Sequence, residues 1–240
     1  METLPEGLLV RGAAELSVSL GEEDVKLYLK YLDSLLEWNQ KINLTAIKDP
    51  EEIIIKHFLD SISVLPYITH NTEIKLLDVG TGAGFPGVPV KISSSGINVV
   101  LLDSLNKRIT FLNNLIGELN LSGITTVHGR AEDFAHKEDF RECFDVVVSR
   151  AVSKLSVLAE LCLPFVKIGG KFIAYKGPKV SEELAEAEIA IKTLGGGQAR
   201  VIDITLPDIE DKRNLVIIDK DKPTPPKYPR KAGTPEKKPL

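Results

Sequence analysis

The sequence predicts an α/β fold: a seven-stranded, Rossmann-like sheet with an N-terminal helical cap and a C-terminal antiparallel hairpin. Three observations carry this reading. Five apolar, strand-like runs alternate with helical runs through the middle of the chain, and each parallel strand pair requires a crossover, usually a helix. A glycine-rich loop follows the first of these runs directly, as it does where a strand passes into a helix at a nucleotide site. The last two strand-like runs are joined by a polar segment too short for a crossover helix, so they pair as a hairpin.

The cap comes first. Residues 22–43 place Val25, Tyr28, Leu29, Leu32, Leu35 and Leu36 on one helical face. A second helix starts at Asp49-Pro50-Glu51-Glu52, with a capping acid and proline at the first helical position, and runs to about Leu65 before Pro66 stops it. Strands are expected at 75–79, 98–103, 125–128, 144–149 and 171–175, with helices at 87–94, 105–121, 155–165 and 180–194. The hairpin strands are 200–206 and 214–219, joined through 207–213. The organisation expected is a cap over 1–70, an α/β domain over 71–219 and a basic, proline-rich tail over 220–240.

The run Leu-Leu-Asp-Val-Gly-Thr-Gly-Ala-Gly-Phe-Pro-Gly at 76–87 is the most informative segment. Asp78 ends an apolar strand, and glycines at 80, 82, 84 and 87 let the backbone approach a ligand where a side chain would clash. Asp103 ends the next apolar run about 20 residues on, the spacing from which one carboxylate reaches a ribose. The pattern also satisfies G-x-G-x-x-G, so a dinucleotide site stands beside a site for S-adenosylmethionine (SAM). Charge favours SAM. A carboxylate at Asp78 would meet the pyrophosphate of NAD with roughly 4 kcal/mol of repulsion at about 4 Å, whereas SAM is cationic at sulfur and nitrogen.

Composition bounds the rest. The chain has 240 residues, 43% of them hydrophobic, enough for one sizeable core and for a water-soluble globular protein. Cys143 and Cys162 have no partner at metal-ligand spacing, which reads as free thiols in a reducing cytoplasm, with no metal site. No signal peptide or membrane span is expected from the N-terminal residues. The net charge of −4 is unevenly distributed: residues 220–240 hold seven bases and two acids, +5, which leaves −9 for residues 1–219. Six of the fourteen prolines also fall in that tail. It is expected to be an extended arm that either lies along a phosphate backbone or stays solvated.

The chain resembles the RsmG (GidB) family, bacterial methyltransferases that modify N7 of a guanine in 16S ribosomal RNA. The resemblance rests on Trp38-Asn39-x-x-Ile42-Asn43-Leu44-Thr45, His57-x-x-Asp60-Ser61, the 78–87 loop, Leu102-Asp103-Ser104 followed by Lys107-Arg108, Arg130-Ala131-Glu132, Ser149-Arg150-Ala151, and the tail from Lys227 to Pro235. It implies SAM contacts at Gly80, Phe85, Ala131, Glu132 and Arg150, to which the reading of the loop adds Asp78, Gly82 and Asp103. Asn39, His57, Ser61 and Lys176 are expected at the RNA or the cofactor, and Lys107, Arg108 and Arg130 at the edge of a basic surface. The partner implied is 16S ribosomal RNA or the small ribosomal subunit, with no membrane. No catalytic side chain is expected, because N7 of guanine has a free lone pair and the sulfonium already activates the methyl group. A methyltransferase of another substrate, a nicotinamide oxidoreductase and a non-enzymatic RNA-binding module remain open on the sequence alone.

Overall fold

All seven strand-like runs enter one sheet: β1 Ile74–Val79, β2 Ile97–Asp103, β3 Ile124–His128, β4 Phe144–Ser149, β5 Val166–Lys176, β6 Gly196–Ile204 and β7 Arg213–Lys220. The structure is a computed structural model that describes residues 4–68, 73–150, 153–209 and 212–240. The strand order is 3-2-1-4-5-7-6. Strands β1 to β5 are parallel, and β7 runs antiparallel between β5 and β6. Strand β1 is buried on both faces apart from Lys75, which is why it reads as a near-continuous apolar run. The order reverses on either side of β1, and open α/β sheets bind ligands in the crevice at such a switch point.

Strand β5 begins five residues earlier than the sequence pattern indicates. Gly169 has a φ of 82°, and a Cβ on Gly170 would lie 2.6 Å from the Asp145 carbonyl. Only glycine permits this close crossing onto β4, where the register shifts. Two glycines in a row conceal a strand from a propensity reading.

Helices cover both faces. On one side lie α1 Leu4–Glu15, α2 Glu22–Ile42, and a helical segment composed of α3 Pro50–Ile53, a π-helical stretch Ile54–Leu59 and α4 Asp60–Ile62. Helices α5 Gly87–Ser93 and α6 Asn106–Glu118 complete that layer, while α7 Ala131–Phe134, α8 Leu155–Cys162 and α9 Val180–Thr193 cover the other. The cap has no separate core. Its Tyr28, Tyr31 and Phe58 join one cluster with Leu76, Leu101 and Ile173 of the sheet. The Tyr31 hydroxyl donates to the Ala83 carbonyl in the glycine loop at 2.5 Å, and Tyr28 donates to the Pro89 carbonyl at 2.9 Å. Helix α1 was not apparent in the sequence, because Leu8, Leu9 and Ala13 are the buried hydrophobic side chains described on it, too few for a clear period.

The tail corrects an expectation: it is packed against the core, ending in α10 Thr234–Lys237, and is not an extended arm. Prolines leave its carbonyls without local donors, and Arg141 supplies them, reaching the carbonyls of Thr224 at 2.8 Å and Tyr228 at 3.0 Å. Tyr228 is buried. The fully buried Glu160 accepts from Arg230 Nε at 2.8 Å and Nη2 at 2.5 Å. Two of the tail's seven bases therefore face protein: Arg230 pairs with Glu160, and Lys220 with Glu142. Arg230→Ala would strand the Glu160 carboxylate in the core. The expected cost is about 3 kcal/mol, read as a lower urea midpoint; an unchanged midpoint would show that the tail is not docked in solution.

Candidate active site

The glycine loop leaves β1 at the switch point and is held from below. Asp78 is fully buried, and its Oδ2 accepts from Thr81 Oγ1 at 2.7 Å and from the Gly87 amide at 2.8 Å. It clasps the two ends of the loop, and Gly87 is what permits the approach, since a Cβ there would meet Leu101 at 2.3 Å and Asp78 at 3.0 Å. The expectation of a carboxylate at the mouth of the site is thereby corrected. Asp78 lies under the loop, with Oδ1 unpartnered among the described residues. Burial pushes its carboxyl up to about 7, against the opposing pull of the Thr81 and Gly87 donors.

Asp103 stitches the loop to the next strand. Its Oδ2 accepts from the Gly82 amide at 2.9 Å and from Arg108 Nη1 at 3.2 Å, and its Oδ1 from the Leu105 amide at 2.9 Å. Gly82 has a φ of 63°, and a Cβ built there meets nothing within 4 Å. The backbone is therefore bare toward open space at the point where a ligand would lie.

The opposite wall is organised by Arg150, at the end of β4. Its Nη1 donates to the Lys56 carbonyl at 3.1 Å, the His57 carbonyl at 3.4 Å and Asp60 Oδ2 at 3.0 Å. Lys56 and His57 lie in the π-helical stretch. Nη2 lies 3.2 Å from His57 Nδ1. The guanidinium also sits 4.8 Å from the centre of the Phe85 ring. Phe85 stacks on His57 at 4.7 Å and on Tyr31 at 5.4 Å. Burial, and then the Arg150 charge, bring the His57 imidazole down to about 3, so it is neutral at physiological pH.

These walls enclose a cleft of about 620 Å³, within the size range of cofactor sites. Leu44, Thr45, Ile47 and His57 line it from the cap, Gly80, Gly82 and Phe85 from the loop, and Arg108, Arg150, Tyr175, Lys176 and Arg213 from the strand ends and the segments that follow them. Its bare glycine backbone, aromatic floor and cationic rim suit a nucleoside cofactor that carries a carboxylate.

Comparison with known proteins decides the family. Residues 24–216 match the family model GidB, rRNA small subunit methyltransferase G. The chain belongs to this family. It is 51% identical over 233 residues to the ribosomal RNA small subunit methyltransferase G of Alkaliphilus oremlandii, covering 97% of this chain and 98% of that one. The Clostridium tetani relative is 52% identical over 226 residues, covering 94% and 95%. Among solved structures, a putative SAM-dependent methyltransferase from Methanococcus maripaludis has a TM-score of 0.54 at 16% identity, covering 80% of this chain and 92% of that one. The YcgJ protein of Bacillus subtilis has a TM-score of 0.55 at 12% identity, covering 69% and 100%. These two support the fold alone. The family member described here is thus a SAM-dependent methyltransferase of small-subunit ribosomal RNA, and the nicotinamide reading falls.

Of the residues expected at SAM or RNA, Gly80, Gly82, Phe85, His57, Arg150 and Lys176 line the cleft, while Asp78 and Asp103 lie behind it and hold the loop. Asn39, Ser61, Ala131 and Glu132 lie outside the lining, and Lys176 lines it already paired. Asn39 and Ser61 are buried and satisfied within the protein: Asn39 bonds both backbone groups of Thr45, and Ser61 Oγ donates to the His57 carbonyl. Both build the cap wall without lining the cleft. Glu132 accepts from the Gly233 amide of the tail at 2.9 Å, and with Ala131 it opens α7, outside the cleft lining. Lys176 donates to the Ser153 carbonyl at 2.6 Å and pairs with Glu183 at 2.6 Å, so its charge is balanced. Ala151 lies outside the described residues. Thr45, Asp60 and Tyr175 were not assigned from the sequence, although the first two stand in the quoted motifs. Among the described residues no three His, Cys, Asp or Glu gather as a metal would require, and no helix is long and apolar enough to cross a membrane.

Because the folded-state pKa of Asp78 is raised from 3.8 to about 7, its contribution to stability is complete below pH 4 and is lost as pH rises through 7. Asp78→Asn removes that titration. The stability of Asp78→Asn relative to the unsubstituted protein should rise between pH 5 and pH 8; a constant difference across that range would contradict the raised pKa.

Proposed function

We propose that the cleft holds SAM along the glycine loop and presents its methyl group to N7 of a guanine in 16S ribosomal RNA, in the cytoplasm. The observation that carries this reading is the bare Gly82 backbone, open to a cleft that the cap and the basic strand ends border together. When bound, SAM supplies a methyl group already activated by its sulfonium. The protein's part is binding and alignment. The backbone at Gly80 and Gly82 would hold the methionine portion, over a floor formed by Arg150 and Phe85. A carboxylate has about four acceptor sites, and three on Asp103 are taken by Gly82, Leu105 and Arg108, which leaves one for a ribose hydroxyl. Ala131 and Glu132, which open α7, would hold the adenine end.

No general base is needed, since guanine N7 carries a free lone pair at neutral pH. What remains is in-line positioning, worth up to about 7–11 kcal/mol in favourable cases. His57 and Lys176 border the space left for the base, and Asn39 and Ser61 act by fixing the cap. Lys56, Arg108 and Arg213 on the same rim suit RNA phosphates.

Transfer of labelled methyl from SAM to small subunits lacking N7 methylation, with the modified base mapped by cleavage at 7-methylguanosine, tests the reading. The expected label falls on one guanine. Gly82→Ala should fold, at a cost of about 1 kcal/mol for its left-handed φ, yet bind SAM at least tenfold more weakly. Normal SAM affinity in Gly82→Ala, or label spread over other bases, would sink the assignment.

A further inference from the structure

The cap loop is built to present one hydroxyl in one role. Asn39 grips Thr45 at both backbone groups, accepting from its N–H and donating to its carbonyl, each at 2.9 Å. Thr45 Oγ1 accepts from the Ile47 amide at 3.1 Å and lies 2.8 Å from His57 Nε2. Arg150 decides the direction of that second bond. A guanidinium has only donors, so His57 Nδ1, 3.2 Å from Arg150 Nη2, must offer its lone pair. The ring proton of the neutral imidazole therefore sits on Nε2. The Lys56 carbonyl that also lies 3.2 Å from Nδ1 takes its hydrogen from Arg150 Nη1 instead.

His57 thus donates to Thr45, and both lone pairs of the Thr45 hydroxyl are filled by N–H groups. Only its proton remains, and none of the described residues accepts it. Thr45 lines the cleft, so the proton is available to whatever enters there.

The chemistry of the reaction names the acceptor. The guanine edge that carries N7 also carries O6, and both are acceptors, whereas adenine places an amino donor beside its N7. N7 must keep its lone pair bare for the incoming methyl group, so no donor can hold it. O6 is the adjacent handle. We propose that Thr45 is a specificity-determining residue whose hydroxyl, restricted to donation by His57 and Ile47, hydrogen-bonds O6 of the target guanine. The same restriction disfavours adenine, whose amino hydrogens would face the hydroxyl proton. This inference rests on the guanine N7 reading above. The carboxylate of SAM is the other acceptor in the cleft, and the test separates the two.

Small subunits are reconstituted with 16S RNA carrying guanine or 2-aminopurine, which keeps N7 but has hydrogen in place of O6, at the modified position. Mapping the product on the guanine substrate first tests the N7 reading by itself. With that established, replacing guanine by 2-aminopurine should lower kcat/KM about tenfold more for the unsubstituted enzyme than for Thr45→Val. Thr45→Ser, which keeps the hydroxyl, should regain the unsubstituted enzyme's response, and Thr45→Val should bind S-adenosylhomocysteine with unchanged affinity. Equal losses on 2-aminopurine for the unsubstituted enzyme and Thr45→Val would overturn the proposal. So would a fall in S-adenosylhomocysteine affinity in Thr45→Val, which would place the hydroxyl on the cofactor.

Discussion

The Arg150 guanidinium is the interaction on which the cap, the sheet and the cleft all depend. It stands at the end of β4, at the switch point, and reaches two carbonyls of the π-helical stretch, the Asp60 carboxylate, His57 and the face of Phe85. A cation this enclosed is tolerated because donors on both terminal nitrogens meet acceptors and one partner is a buried anion. Arginine suits the place and lysine would not, since a planar fork serves several fixed acceptors and stacks on a ring at once. Both carbonyls that this fork reaches, those of Lys56 and His57, lie in the π-helical stretch. Burial, and then the Arg150 charge, hold the His57 imidazole neutral, and the donor-only guanidinium at Nδ1 leaves the ring proton to Nε2.

The glycine loop depends on two carboxylates with different duties. Asp78 ties the ends of the loop from beneath, and Asp103 ties its middle to β2 while keeping one acceptor site for a ligand. The division follows from depth. Asp78 is sealed under α5 because Gly87 lets the helix close over it, and that burial raises its pKa. Tyr31, donating to Ala83 from the cap, joins the loop to the opposite layer. Cap and loop are thus two walls of one cleft.

Much of this architecture was legible in the sequence. The strands could be read because burial on both faces makes them short apolar runs, and the hairpin because seven residues cannot hold a crossover helix. The loop was legible in its glycines, and Arg150 in its place after a strand. Other features were hidden for physical reasons. Asn39 and Ser61 look the same in sequence whether a polar side chain meets RNA or satisfies a backbone group, and only burial separates the cases. The π-helical stretch shifts the helical period within six residues, too briefly to leave a pattern. The tail's charge and prolines suggested an extended arm, because its partners Arg141 and Glu160 lie far away in the chain.

Burial and the Arg150 charge together keep His57 neutral, and the Arg150 contact at Nδ1 sets its tautomer and so the role of the Thr45 hydroxyl beyond it. The direct measurement is the ¹⁵N chemical shifts of the two His57 ring nitrogens as pH falls. The account expects a neutral ring with hydrogen on Nε2 and a bare Nδ1 from pH 8 to pH 5, with protonation only near pH 3. A hydrogen on Nδ1, or an imidazolium already present at pH 6, would contradict it.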